Sequence, residues 1–354
     1  MTIETLARPE IRSLSAYETA VPVNGALRLH ANEAPTAAGR NSLNRYPEVR
    51  PTELQSRLAR RFGVSASNLL VTRGSTEAVD LLIRTFCRAG RDSIVITPPT
   101  FVMYQVYADI QGAGTISCPL LSEQDFALNV ESVTDYCTAS SKLIFVCSPN
   151  NPTGNVVPRS DLVRILEARK DKSIIVVDEA YIEFSGAESM AALVRDHDNL
   201  VVLRTLSKAL ALAGARCGAV IANAALIRLL SGVLAPYALS TPVIDCVMAA
   251  LSDRGFTNDS RITKIVAERD RMTGQLTSSP FVQRVWPSQT NFLLVQFRNL
   301  AEIQERLRAE RILIRDCSDK PGLENCARIT IGDPDENDRL LAALSLSEGV
   351  RNVS

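Results

Sequence analysis

The 354-residue sequence is short of histidine, of net charge and of long apolar runs. With only His30 and His197, which lie far apart, a histidine-based zinc or iron site is not expected. Lysine and arginine together number 39, as do aspartate and glutamate, so no basic surface is expected for nucleic acid or an anionic membrane. No run of about 18 apolar residues predicts a transmembrane helix. These absences leave small molecules as the expected class of ligand.

Cysteine pairs with metal-binding or redox spacing are also absent. None of the eight cysteines belongs to a C-x-x-C motif, and Cys147 lies inside an apolar run in the manner of a core residue. The first thirty residues carry polar and acidic side chains without the apolar core of a signal peptide. We therefore expect a cytoplasmic protein with reduced thiols.

The length predicts two domains, since a domain takes roughly 150 residues, and 46% apolar residues can form a sizeable core. Residues 1–25 are of mixed character and are predicted to be an N-terminal arm. Residues 26–242 are predicted to be a large α/β domain. Residues 243–354 are predicted to be a smaller α+β domain.

Short apolar runs alternate with helical patterns through the large domain, which is typical of a parallel sheet with helices on both faces. The predicted strands of this domain are 68–72, 93–97, 142–147, 173–177, 199–203 and 217–222. Beyond residue 242 a helical pattern continues to about residue 276. The strands predicted after it are 290–297, 312–315 and 327–331, with further helices between and after them.

Lys208 follows the apolar run 199–203, where an ammonium group removed from water is costly. Such a lysine must be paired, have a lowered pKa, or be used in a covalent bond. The third option fits a Schiff base with an aldehyde cofactor. Ser207 and Arg216 would supply a hydroxyl and a fixed positive charge for an anionic group on the same cofactor. The alternative is a lysine that leaves a strand and faces solvent.

A second anion site is predicted where the first strand ends. Gly74, Ser75 and Thr76 follow strand 68–72 and open a helix, so free N–H groups and the positive end of the helix dipole would face an anion. Ser75 or Thr76 is expected to be the N-cap. The alternative is an ordinary capped helix.

Other strands also end in polar or aromatic residues. Phe101 and Tyr104 follow a double proline, where an aromatic ring can stack on a ligand or simply join the core. Asn151 lies in a proline-rich turn and can present its amide as a donor. Asp178 ends a buried strand and requires a cationic partner.

Three motifs, Asp178-x-x-Tyr181, Ser207-Lys208 with Arg216, and Asn151-Pro152-x-Gly154, resemble those of the fold-type I aminotransferases that use pyridoxal 5'-phosphate (PLP). The longer strings around them look most like those of histidinol-phosphate aminotransferases. The resemblance implies an aspartate-aminotransferase-like fold, with a mostly parallel seven-stranded sheet in the large domain and a smaller α+β domain. It also implies PLP as cofactor and a homodimer.

The resemblance assigns catalysis to Lys208, Asp178 and Tyr181. Lys208 would form the imine with the cofactor and later move a proton between the substrate and the cofactor. Asp178 would face the pyridine nitrogen and keep it protonated. Asn151 and Tyr181 would hydrogen-bond the phenolic oxygen of the ring.

The same resemblance implies how the rest of the cofactor is held. Phe101 would stack on the ring, at a position where the family usually has tyrosine. Tyr46 would reach the phosphate bound in the neighbouring subunit. The phosphate would otherwise be held by Ser75, Thr76, Ser207 and Arg216.

For the substrate, the resemblance implies that Arg328 grips the acidic group, with Asn151, Arg315 and Tyr17 as auxiliary residues. A planar guanidinium suits both a carboxylate and a phosphate monoester. The implied ping-pong reaction converts L-histidinol phosphate and 2-oxoglutarate to imidazole-acetol phosphate and L-glutamate, or the reverse. Three alternatives remain open: an aromatic amino-acid aminotransferase, a decarboxylase similar to threonine-phosphate decarboxylase, and a non-catalytic PLP sensor.

Overall fold

Two β-sheets organise the chain in the computed structural model, which describes residues 3–17, 26–39, 43–252 and 260–345. The strands are β1 (Leu69–Thr72), β2 (Ser93–Ile96), β3 (Gly114–Ser117), β4 (Ser141–Cys147), β5 (Ile174–Asp178), β6 (Leu200–Thr205), β7 (Gly218–Ala222), β8 (Val282–Val285), β9 (Phe292–Phe297), β10 (Arg315–Asp316) and β11 (Cys326–Thr330). The helices are α1 (Pro9–Arg12), α2 (Thr52–Arg61), α3 (Gly74–Phe86), α4 (Met103–Gln111), α5 (Val130–Asp135), α6 (Arg159–Ala168), α7 (Ala224–Val233), α8 (Thr241–Ser252), α9 (Ser260–Thr277), α10 (Leu300–Ala309) and α11 (Pro334–Ser345).

The larger sheet has seven strands in the order β1-β7-β6-β5-β4-β2-β3. Of the seven strands, β7 alone runs in the direction opposite to the other six, and the mostly parallel seven-stranded sheet is therefore confirmed. Strand β3 is absent from the sequence prediction. It is a partly exposed edge strand of sequence Gly-Thr-Ile-Ser, and so it lacks the apolar run by which the buried strands were recognised.

Both faces of this sheet are covered, which explains the continuous apolar sequence of its central strands. In β4, Ile144 and Val146 join the core on one face, whereas Leu143 and Phe145 join the core on the other. All four side chains are at most 1% exposed. Full burial of each such side chain contributes about 1.5–3 kcal/mol to folding, so the central strands hold the carboxyl edge of the sheet in a fixed position.

The smaller sheet is antiparallel, with the order β10-β11-β9-β8. Its core is shared with helices α9, α10 and α11. Strand β8 is absent from the sequence prediction because half of it, Gln283 and Arg284, is exposed and polar. Helix α8 instead contacts α2 of the larger unit. The domain boundary at residues 242 and 243 stays a prediction.

The parallel strands β4, β5 and β6 end side by side. Cys147 lies opposite Asp178 in the register of β4 and β5, and Asp178 lies opposite Leu203 in that of β5 and β6. The loops that follow these strands therefore meet at one edge, where ligands of open α/β sheets bind. In the part of the chain described above, no helix is both long and apolar enough to cross a membrane.

Candidate active site

A cavity of about 210 Å³ lies at the carboxyl edge of the larger sheet. It brings together the predicted residues Ser75, Thr76, Phe101, Asn151, Asp178, Tyr181, Ser207, Lys208, Arg216 and Arg328. Cys147, Ala180 and Thr205 complete its lining. Residues spread over more than 250 positions of sequence thus converge on one space, as expected of a binding site at strand ends.

Asp178 is the buried acid of the cavity, at 3% exposure. Its Oδ2 accepts a hydrogen bond from the Tyr104 hydroxyl at 2.9 Å, and its Oδ1 accepts one from the Ala180 backbone N–H at 3.1 Å. Burial raises the pKa of Asp178 to about 6, because the loss of hydration outweighs these bonds and the charge of Lys208. A cation placed near this carboxylate would therefore be strongly favoured.

A buried ion pair involves Glu179, the residue that follows Asp178. Arg204 contacts Glu179 at 3.5 Å and Glu183 at 2.6 Å, and Ser189 donates a hydrogen bond to Glu179 at 2.5 Å. Arg204 and Glu179 are at most 7% exposed, so the pair is little screened by water. It ties the loop after β5 to the end of β6 and so fixes the backbone on either side of the cavity.

Lys208 lies three residues past the buried strand β6 and its side chain opens towards the cavity, so it is removed from water only in part. The surrounding protein nevertheless lowers its pKa through partial desolvation, and the positive charges of Arg328 and Arg216 lower it further, against the effect of Asp178. Its Nζ lies 5.7 Å from the centre of the Tyr181 ring. A larger fraction of this amine is therefore neutral, and nucleophilic, than for an ordinary lysine.

Two glycines shape the anion-binding end of the cavity. A Cβ on Gly74, whose φ is +77°, would lie 2.9 Å from Arg216 Nη2. A Cβ on Gly218 would lie 2.8 Å from the carbonyl carbon of Gly74 and from the Ser75 nitrogen. Only glycines allow the start of α3, the start of β7 and the Arg216 guanidinium to come this close.

The start of α3 differs from the prediction. The N-cap is Arg73, without a side-chain cap, and the helix begins at Gly74, so the prediction of Ser75 or Thr76 as N-cap is wrong. Both lie in the first turn, where their backbone N–H groups have no partner within the helix. Arg216 donates a hydrogen bond to the Ser207 hydroxyl at 3.2 Å. The first turn, the hydroxyl and the guanidinium thus lie together as donors that suit an anion.

Arg328 brings the smaller sheet into the site. Located on β11, it donates a hydrogen bond to Asn151 Oδ1 at 2.6 Å, and its guanidinium carbon lies 5.3 Å from the centre of the Phe292 ring. This bond orients the Asn151 amide with its oxygen towards Arg328, so its nitrogen is the end that can donate to a ligand. Phe292 also packs edge-to-face with Tyr181, with ring centres 5.2 Å apart and ring planes at 90°.

Three predicted residues do not line the cavity of their own chain. Tyr46 stacks on Tyr237 with ring centres 4.6 Å apart, and Tyr17 contacts Tyr237 edge-on at 6.3 Å. Both tyrosines are at least half exposed. Arg315 is an exposed residue of β10, opposite Arg328 in the strand register. The roles assigned to Tyr17, Tyr46 and Arg315 stay predictions.

Cys147, Ala180 and Thr205 line the cavity without having been predicted as site residues. For Tyr104 the sequence indicates an aromatic that stacks on a ligand or joins the core, but not its hydrogen bond to Asp178. Cys147 was interpreted as a core residue, and although it is 3% exposed it also lines the cavity. Burial raises the pKa of its thiol far above the usual value, so it is not a nucleophile. Strand register alone places it beside Asp178. No pattern in the sequence gives that register.

The chain resembles known proteins over nearly its whole length. A family model described as aminotransferase class I and II matches residues 14–344. The histidinol-phosphate aminotransferase of Escherichia fergusonii is 41% identical over 351 residues, which are 97% of this chain and 98% of that protein.

Two solved structures share the fold. The histidinol-phosphate aminotransferase of Sinorhizobium meliloti in complex with pyridoxal-5'-phosphate has a TM-score of 0.77 and 25% identity, over 85% of this chain and 82% of that one. The L-threonine-O-3-phosphate decarboxylase of Porphyromonas gingivalis has a TM-score of 0.72 and 26% identity, over 85% of this chain and 92% of that one. The aspartate-aminotransferase-like fold expected from the sequence is confirmed. By its motifs, its fold and its matched length, this chain belongs to the class I and II aminotransferase family.

Proposed function

We propose that this chain is a PLP-dependent transaminase that interconverts L-histidinol phosphate and 2-oxoglutarate with imidazole-acetol phosphate and L-glutamate. One observation carries the proposal: the chain is 41% identical, over 97% of its length, to a histidinol-phosphate aminotransferase. The convergence of Lys208, Asp178 and Arg328 on one cavity supports the same reaction.

The residues of the cavity fit PLP at both of its polar ends. The glycine-walled niche between the first turn of α3, Ser207 and Arg216 suits the phosphate. Asp178, with its raised pKa, suits the protonated ring nitrogen as the cation that compensates its burial. When bound, PLP supplies an electrophilic aldehyde carbon and a ring that accepts electron density from the substrate.

The chain's own residues then act on the substrate. The Lys208 amine, with its lowered pKa, is suited to act as nucleophile and to accept and return the proton at the substrate α carbon. Asn151 Nδ2 and the Tyr181 hydroxyl are suited to donate to the cofactor's phenolic oxygen. Burial raises the pKa of Tyr181, so its hydroxyl keeps its proton and remains a donor.

Arg328 is suited to bind the acidic end of each substrate in turn. The guanidinium presents two parallel donors, which match a carboxylate of glutamate and a phosphate of histidinol phosphate equally well. Its bond to Asn151 and its place over Phe292 hold it in the wall of the cavity. A site that binds a carboxylate and a phosphate in turn requires a side chain that can hydrogen-bond both.

Donor specificity tests the proposal. Purified PLP-loaded protein with 2-oxoglutarate should produce glutamate from L-histidinol phosphate with a kcat/KM at least tenfold above that for phenylalanine or tyrosine, and with ping-pong kinetics. A higher kcat/KM for phenylalanine or tyrosine would favour an aromatic aminotransferase. Carbon dioxide release from a phosphoamino acid, without glutamate formation, would favour a decarboxylase.

We also propose that the chain acts as a homodimer in which Tyr46 contributes to the neighbouring site. Several large apolar residues near the N-terminal part are 48–81% exposed, which is unusual for a free surface: Leu14, Leu27, Leu29, Leu43 and Tyr46. Tyr46 is anchored towards this surface by its stack on Tyr237.

Subunit mixing tests the shared site. Tyr46→Phe should weaken PLP binding, and Lys208→Ala should be inactive. A hybrid dimer of the two variants has one site with both residues intact if Tyr46 acts across the interface, and should recover wild-type PLP affinity in its active site. No recovery, or a monomer by sedimentation, would contradict the proposal.

We propose the cytoplasm as the compartment. All eight cysteines are free thiols, as expected in a reducing environment. Cell fractionation of the tagged protein should place it with the soluble cytoplasmic enzymes, and recovery in a membrane or secreted fraction would contradict this.

A further inference from the structure

Tyr104 has no role in the function proposed above, yet its hydroxyl contacts the buried acid of the site. It lies on the first turn of α4 and is 0% exposed. The hydroxyl donates a hydrogen bond to Asp178 Oδ2 at 2.9 Å. Its ring stacks on Phe145 at 4.8 Å and meets the Phe101 ring edge-on at 5.6 Å. One side chain thus touches both Asp178 and the aromatic residue expected to cover the cofactor ring.

The contact that Tyr104 makes with Asp178 differs from those of the other groups around this carboxylate. The backbone N–H of Ala180 bonds the other oxygen, Oδ1. Cys147 faces Asp178 from β4, Tyr181 lies on the loop after β5, and Lys208 approaches from the loop after β6. Among the described residues, Tyr104 is the one side chain that donates a hydrogen bond to this carboxylate.

We propose that Tyr104 is a positioning residue that keeps Asp178 ionised and oriented in the cavity and so strengthens the binding of the cofactor ring nitrogen. The inference rests on the proposed function only in taking PLP as the group that Asp178 faces. A buried phenol is a strong neutral donor, and burial next to Asp178 raises the pKa of Tyr104 so that it remains protonated. A hydrogen bond to the charged form of an acid favours that form.

A purely structural role makes a different prediction. The Tyr104 ring packs between two aromatic neighbours, and Tyr104→Phe keeps that ring while it removes the hydroxyl alone. If packing were the whole role, this substitution would change neither the ionisation of Asp178 nor the affinity for PLP. If the hydroxyl stabilises the carboxylate, the effect must depend on pH and on the presence of Asp178.

The sign of the pH effect follows from the pKa of Asp178, which is about 6 and thus above its unfolded value. The contribution of such a group to the free energy of unfolding is present at low pH and is lost as the pH rises through the pKa that the group has in the folded protein. Loss of the Tyr104 hydroxyl raises that pKa further, so the variant carries a larger penalty above pH 6 than the wild type. The melting temperatures should therefore be similar at pH 5 and differ clearly at pH 8.5.

The test compares the wild type, Tyr104→Phe, Asp178→Asn and the double variant as full-length proteins, both freed of PLP and loaded with it. At pH 8.5 we expect Tyr104→Phe to melt several degrees below the wild type, whereas at pH 5 the two proteins should melt at similar temperatures. In the Asp178→Asn background this pH dependence should disappear. The dissociation constant of PLP at pH 8 should rise about tenfold, the equivalent of about 1.4 kcal/mol.

Tyr107→Phe is the matched control, because Tyr107 lies one turn further along α4 and is packed against the same core. It should leave melting and PLP affinity unchanged. Equal melting of Tyr104→Phe and the wild type at both pH values, or an equal loss in the Asp178→Asn background, would overturn the inference. Because the melting of the PLP-free protein involves no substrate, this result is independent of whether histidinol phosphate proves to be the donor.

Discussion

The two ends of the cavity are built in different ways. The cofactor end comes from the loops after the strands of one sheet, and at Gly74 and Gly218 these segments pack so closely that an added Cβ would lie 2.8–2.9 Å from a neighbouring atom. The substrate end joins that sheet to the second sheet: Arg328 donates a hydrogen bond to Asn151, the Gln289 backbone N–H bonds the Gly154 carbonyl oxygen, and Phe292 packs on Tyr181. The cofactor end is therefore rigid and local, whereas the substrate end depends on how two sheets are placed.

This difference corresponds to the order of the proposed reaction. One cofactor stays bound throughout, so its site gains from fixed backbone geometry. Two acids of different shape must enter and leave in turn, so their receptor gains from a flexible side chain with a planar head. Substitutions at the cofactor end should thus affect every substrate alike, and those at the substrate end should not.

Lys208→Ala should have the largest effect, because it removes the nucleophile and proton carrier shared by both ends. We expect kcat to fall by at least about 10⁴-fold for every donor. Glutamate formation and the visible absorbance of the bound cofactor would measure it, with the exposed Lys172→Ala as control. Retention of more than a trace of turnover would remove Lys208 from this role.

Gly218→Ala should break the cofactor end alone. Its Cβ would lie 2.8 Å from backbone atoms of Gly74 and Ser75, so the start of α3 must move. Overpacking of this kind costs about 1–3 kcal/mol, and we expect PLP to bind roughly 10–100-fold more weakly while KM for the donors at saturating PLP changes little. Gly214→Ala is the control, since its Cβ would meet no atom within 4 Å. Unchanged PLP affinity in Gly218→Ala would argue against a rigid phosphate niche.

The same contrast explains which parts of the site could be predicted from the sequence. Residues of the cofactor end, such as Ser75, Asp178 and Lys208, each lie at or just beyond the end of an apolar run that is long enough to recognise. Strands β3 and β8 could not be predicted because half or more of their surface is exposed or polar. The apolar pattern of the local sequence was thus sufficient to predict those strands that are completely buried.

Contacts between distant elements are the part that the sequence does not determine. The Arg328–Asn151 bond joins residues 177 positions apart, and the Tyr104–Asp178 bond joins residues 74 positions apart. Both depend on strand register and on helix packing, which periodicity does not specify. The resemblance to a family indicated Arg328 but not its partner, and it indicated nothing for Tyr104.

Arg328→Lys should affect the substrate end alone. The change keeps the positive charge but loses the paired donors and the bond to Asn151 in its present geometry. A hydrogen bond to a charged group contributes about 1.5–3 kcal/mol, so we expect KM for glutamate and for histidinol phosphate to rise roughly 10–100-fold with PLP affinity nearly unchanged. Arg308→Lys, an exposed change on α10, is the control. A loss of PLP affinity as large as the rise in KM would show that the two ends are not separable.

The smallest effect should come from Phe101, which lines the cavity and contacts Tyr104 edge-on. Phe101→Tyr keeps the stacking ring, so PLP affinity should change by no more than about threefold, whereas Phe101→Leu removes the aromatic contribution of about 0.5–1.5 kcal/mol. Equilibrium titration with PLP measures both variants against the wild type. If Phe101→Tyr tightens PLP binding by more than tenfold, a hydroxyl at this position bonds the cofactor. A hydrogen bond from the tyrosine hydroxyl would then contribute more to PLP binding than ring stacking does. The cofactor end, with phenylalanine at position 101, would lack a hydrogen bond for which it has room.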